Sequence, residues 1–128
     1  MIRPALSATL LLAAPPALAL DCMPQTSCSI EGSCAPVSGE GGFRLTRDLA
    51  SYIITSLPEN APGEPPLQLA EAPRADKTMR SFITPASPSG DAVLFSLIEG
   101  RQFILSIHGQ LNGTPYAFLS EGTCEGSL

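Results

Sequence analysis

The sequence predicts a mainly β fold: a small antiparallel meander that closes as a barrel or folds over as a sandwich, tied by two disulfides, behind a cleaved signal peptide. Three observations carry that expectation. Several short segments alternate apolar and polar residues between Pro- and Gly-rich turns. Four cysteines stand in the exported part of the chain. The N-terminus has the layout of a secretory leader.

The strongest segment is 91–109, DAVLFSLIEGRQFILSIHG. Val93, Phe95 and Leu97 alternate with Leu94, Ser96 and Ile98. Phe103, Leu105 and Ile107 alternate with Ile104, Ser106 and His108. A period of two in β-branched and aromatic residues is a strand signal, and the pair reads as a hairpin. A three-residue loop of Ile98, Glu99 and Gly100 sets Phe95 opposite Phe103, Val93 opposite Leu105, and Ser96 opposite Gln102. It also gives Gly100 the left-handed position of a type I turn with a G1 bulge. A two-residue loop would set Ser96 against Phe103. The expected core face is Val93, Phe95, Phe103, Leu105 and Ile107, and the opposite face is mixed.

In chain order, Met1-Ile2-Arg3, the apolar run 5–12 and Ala17-Leu18-Ala19 form the charged start, apolar stretch and small-x-small cleavage site of a signal peptide. Residues 1–19 are expected to be removed, leaving 20–128 as one domain in a secreted or periplasmic location. The apolar run is too short for a membrane span, so no stable insertion is expected after cleavage. Asp21 precedes Cys22, where a lipid-modification site would need a small residue. The mature chain keeps six Lys/Arg against twelve Asp/Glu, a net charge of −6. Without a basic patch it is a poor match for nucleic acid or an anionic membrane. The charge suits solubility.

Cys22, Cys28, Cys34 and Cys124 are even in number, and an oxidising compartment pairs them. Their spacing is neither a zinc pattern nor a C-x-x-C redox motif. Three pairings are possible. Ile30-Glu31-Gly32 repeats the Ile98-Glu99-Gly100 turn, and a three-residue loop there sets Ser29 opposite Ser33 and Cys28 opposite Cys34. That favours Cys28–Cys34 with Cys22–Cys124, over a bridge from Cys28 or Cys34 to Cys124.

Residues 36–42 (PVSGEGG) read as a loop, 43–47 (FRLTR) as a short strand and 51–57 (SYIITSL) as its partner, with Asp48-Leu49-Ala50 the turn. The stretch 58–66 (PENAPGEPP) is a loop by composition. Leu67-Gln68-Leu69-Ala70 reads as a short edge strand. Residues 74–80, with Arg74, Lys77 and Arg80, read as a solvated turn rather than an anion site. A strand follows at 80–84, then a loop at 85–90. After the hairpin, 109–115 (GQLNGTP) is a turn and 116–119 opens the last strand. Residues 125–128 are expected to fray. Asn112-Gly113-Thr114 fits a glycosylation triplet, followed by Pro115.

No catalytic, cofactor or metal residue emerges. His108 has Ser106 on its strand face and Asp91 across the hairpin end, but no nucleophile motif accompanies them. The acids are scattered through turns. With all thiols in disulfides, no cofactor is implied. A disulfide-tied β domain of this size behind a signal peptide resembles the layout of bacterial periplasmic lysozyme inhibitors, in architecture only. The leading expectation is a non-catalytic, inhibitor-like module that binds a protein or envelope component through loops such as 58–66 and 109–115. A small-ligand carrier with a barrel pocket is the alternative. It is disfavoured because Phe43, Tyr52, Phe82, Phe95, Phe103, Tyr116 and Phe118 must also build the core.

Overall fold

The computed structural model describes residues 18–37, 39, 41–57, 66–74, 76–85 and 90–128. The expected leader lies outside them up to residue 17, as do 58–65 of the Pro-rich loop and 86–89. The described residues form nine strands: β1 (Ala19–Ser29), β2 (Cys34–Pro36), β3 (Phe43–Asp48), β4 (Ser51–Ser56), β5 (Leu67–Glu71), β6 (Met79–Ile83), β7 (Ala92–Ile98), β8 (Gln102–Leu111) and β9 (Thr114–Gly126). From β3 to β9 each pairs antiparallel with the next, and β1 pairs with both β3 and β9. Eight strands therefore close into a barrel, with β2 extending the β3 side of β1. Closure leaves β5 between β4 and β6, so the segment expected as an edge strand is an interior member of the barrel.

Alternation produces the inner face. Phe43 and Leu45, Tyr52, Leu69, Phe82, then Val93, Phe95 and Leu97, then Phe103 are buried, while their neighbours turn outward. Five aromatic rings fill the interior in a chain of contacts. Tyr52 meets Phe82 edge-on at 4.7 Å between centroids. Phe82 meets Phe95 at 5.8 Å, and Phe43 lies edge-on to Phe95 and Phe103 at 5.7 and 5.2 Å. These are the offset and T-shaped separations that aromatic pairs prefer.

The central hairpin has the expected faces but a different register. Phe95 pairs with Leu105, Leu97 with Phe103, Val93 with Ile107 and Ser96 with Ile104. Ile98 closes on Gln102 around Glu99, Gly100 and Arg101. Glu99 (φ 51°) and Gly100 (φ 71°) are both left-handed, as a type I′ turn requires, and the Arg101 N–H donates to the Ile98 carbonyl at 3.1 Å. The two-residue shift keeps every side chain on its expected face. It wins because it gives Leu97 the buried Phe103 as partner, where the expected register would set it against Arg101.

The similar turn at Ile30-Glu31-Gly32 takes the expected form. Ser29 pairs with Ser33 through an N–H to carbonyl bond of 3.0 Å, Gly32 is left-handed (φ 83°), and Cys28 faces Cys34. Both expected disulfides are present: Cys28–Cys34, and Cys22–Cys124 across 102 residues of sequence, each with Cα atoms 4.0 Å apart.

Two elements depart from expectation. Outside the Cys28–Cys34 hairpin, no strand is expected from the sequence at 20–27, yet β1 runs through them, Pro24 included, from Ala19. The proline sits at a bulge between Pro24 and Thr26, where its missing N–H is tolerated. Gly122 faces that bulge. A Cβ there would run into the Met23 carbonyl, the Phe103 ring and Pro24, so only glycine lets β9 approach. The C-terminus is held rather than frayed: β9 continues to Gly126 opposite Leu20, and Leu128 packs on the core.

In native-state hydrogen exchange, the Phe95 and Phe103 amides are expected among the slowest; fast exchange at either would mean that the aromatic core does not anchor the fold. Replacing Cys22 and Cys124 together with serine should cost about 4–5 kcal/mol by loss of the chain constraint, against about 2 kcal/mol for Cys28 with Cys34. Equal losses in denaturant melts would show that loop length is not what sets the difference.

Candidate functional site

The two ends of the barrel differ in chemistry. One end carries the β3–β4 and β7–β8 turns and the C-terminus. There, Glu71 and Arg80 lie on the inward-facing rows of β5 and β6 and close the barrel with an ion pair. The Arg80 guanidinium donates from Nε to Glu71 Oε1 at 2.9 Å and from Nη2 to Glu71 Oε2 at 3.0 Å. It also donates to the Tyr52 hydroxyl at 3.0 Å, which in turn donates to Glu71 at 3.1 Å. The guanidinium stands 5.3 Å from the Phe82 ring centroid. Arg74 adds a weaker contact to the same carboxylate at 3.5 Å. Two of the three cations expected in a solvated turn are thus partnered by Glu71. Arg80, through its hydrogen bonds first and its charge next, holds the Glu71 carboxyl below its ordinary value, against the opposing effect of burial. The arrangement is a closed polar network, so it stabilises an end of the barrel and offers no open donor set.

At the other end lie the β1–β2 and β8–β9 turns, with His108 on the outer face of β8. His108 is exposed and makes no hydrogen bond or ion pair among the described residues. Ser106 shares its outer face, as expected. Asp91 does not join them. Its carboxylate lies on the opposite side of the sheet, accepting a 2.9 Å bond from the Tyr116 hydroxyl. The sequence-level Ser106–His108–Asp91 grouping is therefore not assembled, because the residues alternate across the pleat.

What surrounds Ser106 and His108 is apolar. One row across the outer face reads Ile83, Leu94, Ser106, Leu119 and Cys28 on five adjacent strands. Ile83, Leu94 and Leu119 are each exposed, and Ile104 borders the row with similar exposure; Phe118, opposite Ile107, belongs to the inward row of β9. Two shallow hollows flank His108. One, of about 230 Å³, is lined by Ile83, Thr84, Ala92, Leu94 and Ser106. The other, of about 100 Å³, is lined by Ile30, Ala117, Phe118 and Leu119 beside the Cys28–Cys34 bridge. The mixed outer face was legible in the alternation of Leu94 and Ile104. The contributions of Ile83 and Leu119 were not, since they depend on which strands become neighbours.

Above this face the β8–β9 hairpin runs on beyond the other described strands. The last β7 partner is Ala92 opposite His108, and the last β1 partner is Ser29 opposite Phe118. From Gly109 to the turn, β8 pairs among the described residues only with β9, and residues 110–115 are all exposed. The loop expected at 58–66 as a second contact lies outside the described residues, apart from Pro66.

Among the described residues no cluster of His, Cys, Asp and Glu could hold a metal ion, and no helix is long and apolar enough to cross a membrane. Comparison with protein-family models, with curated proteins and with solved structures finds no match.

The Glu71 network makes a pH-dependent prediction. Because its carboxyl is held low in the folded protein, its contribution is complete above about 4.5, the ordinary value, and is lost as pH falls through the lowered folded value. Glu71→Gln should cost about 2 kcal/mol at pH 7, with the gap to the parent closing under acid. Urea melts at pH 7 and pH 3 measure both, and a gap independent of pH would show that the ion pair is not the source.

Proposed function

We propose that the chain is a non-catalytic, inhibitor-like protein-binding module of the cell envelope, acting in a secreted or periplasmic setting. The observation that carries this reading is where the apolar side chains go. The barrel interior is taken up by Tyr52, Phe43, Phe82, Phe95 and Phe103 in mutual contact, while Ile83, Leu94, Ile104 and Leu119 stand exposed on one outer face. A contiguous exposed apolar face rimmed by polar residues is characteristic of surfaces that meet another macromolecule. A small-ligand carrier would need interior volume that the rings already occupy. Catalysis finds no support in the surroundings of His108, whose nearest carboxylate in sequence register is committed to Tyr116. Two disulfides and an acidic balance suit an exported protein that recognises another protein and not a polyanion.

The test is capture from native periplasmic extract with the oxidised chain from Leu20. The expected result is a protein retained by the parent and by His108→Ala, and lost with the double variant Leu94→Glu, Ile104→Glu. A reduced, alkylated copy should retain nothing. If the parent captures no protein, or the double variant captures it equally, the reading fails.

A further inference from the structure

Resting on that reading, we propose that the projecting β8–β9 hairpin is the element that enters the partner, and that the partner is a protein with an uncharged cleft ending in an apolar pocket for Leu111. The first observation is electrostatic. No Asp, Glu, Lys or Arg stands between Arg101 and Glu121, in a chain whose net charge is −5. The hairpin tip is Gln110, Leu111, Asn112, Gly113, Thr114 and Pro115, with Leu111 69% exposed. Pushing charged side chains into a cleft carries a desolvation cost that this tip avoids.

The second observation is rigidity. Asn112 (φ 52°) and Gly113 (φ 81°) are both left-handed, which is the backbone of a tight type I′ turn. The Gly113 N–H donates to Gln110 Oε1 at 2.7 Å. At the base, the Tyr116 ring crosses Gly109, where a Cβ would collide with it, and its hydroxyl is bonded to Asp91, the residue before β7. Turn and brace preform the hairpin, so little conformational freedom remains to be lost on insertion.

The third observation concerns how the hairpin engages. Pro115, paired with Gln110, has no N–H to offer along the exposed edge of β9. Edge-to-edge strand addition is therefore weakened there, which leaves insertion of the tip. Two strands about 5 Å apart make a narrow ribbon, and the hollows beside its base at Ile30, Phe118 and Leu119 would receive the rim of the cleft. A single exposed leucine is less apolar surface than a lipid anchor provides, and the chain is acidic, so a protein cleft is favoured over a membrane.

The experiment uses the full oxidised chain with p-benzoylphenylalanine in place of Leu111 or, as control, Leu49, which is 90% exposed in the β3–β4 turn at the opposite end. Illumination in native periplasmic extract should give one discrete adduct from position 111 and none from 49. Leu111→Asp should weaken binding of that same purified partner at least tenfold with an unchanged melting temperature, and Leu49→Asp should leave binding unaltered. Capture by the parent without an adduct at 111, or with Leu111→Asp binding as tightly, would overturn the assignment to the hairpin and leave the binding module in place. Absence of any capture by the parent would instead remove the reading beneath it. Flotation of the parent, but not of Leu111→Asp, with phosphatidylcholine or phosphatidylglycerol vesicles would overturn the protein cleft in favour of lipid.

Discussion

Everything in this barrel depends on the pairing of β1 with β9, the contact between the two ends of the folded chain. The other barrel junctions except β1–β3 join strands that are neighbours in sequence, and they would form an open, curling sheet by themselves. Only when β9 reaches β1 do the inward rows face one another and the aromatic rings become enclosed. That junction is the most non-local in the molecule, and non-local pairing carries the largest loop-closure entropy. The Cys22–Cys124 bridge lies within it and is buried in the core it helps to shut. Pro24 and Gly122 belong to the same device. The bulge re-aims β1, and the glycine opposite it removes the one side chain that would hold the strands apart.

Five contacting rings occupy the interior of the barrel, and the exposed apolar side chains of Ile83, Leu94, Ile104 and Leu119 lie on its outside. One end is sealed by Arg80 bonded to Glu71 and Tyr52, a polar lid whose members satisfy each other. At the other end β8 and β9 outrun their neighbours and project. The barrel thus has one end closed by a polar network and one end at which the β8–β9 hairpin extends, and the apolar outer row from Ile83 to Leu119 leads to the latter. A rigid scaffold carrying an exposed, preformed hairpin is the division of labour that the proposed binding module requires.

The two Ile-Glu-Gly sequences show how far local chemistry reaches. At 30–32 the tripeptide is itself the loop, with Gly32 left-handed. At 99–101 the loop begins one residue later, both Glu99 and Gly100 are left-handed, and Arg101 is included. Identical local propensities are compatible with both. The difference is made by what the strands must bury: at the first site a disulfide partner, at the second the pairing of Leu97 with Phe103. Turn chemistry narrows register, and packing of the flanking side chains selects it.

Much of this protein was written in its sequence because it follows from nearest neighbours and from alternation. The strands with clean periodicity, the inward faces of β3, β7 and β8, and the Cys28–Cys34 pairing could be read directly, and Cys22–Cys124 followed by elimination. Tertiary structure alone decided barrel over sandwich, the hairpin register, and the strand character of 20–27 despite Pro24. It also separated Asp91 from His108 and brought Ile83 beside Leu94 and Leu119. Each of these depends on contacts between residues far apart in sequence. Their free energy comes from burial and closure rather than from any preference of the local chain, so no short window of sequence contains them.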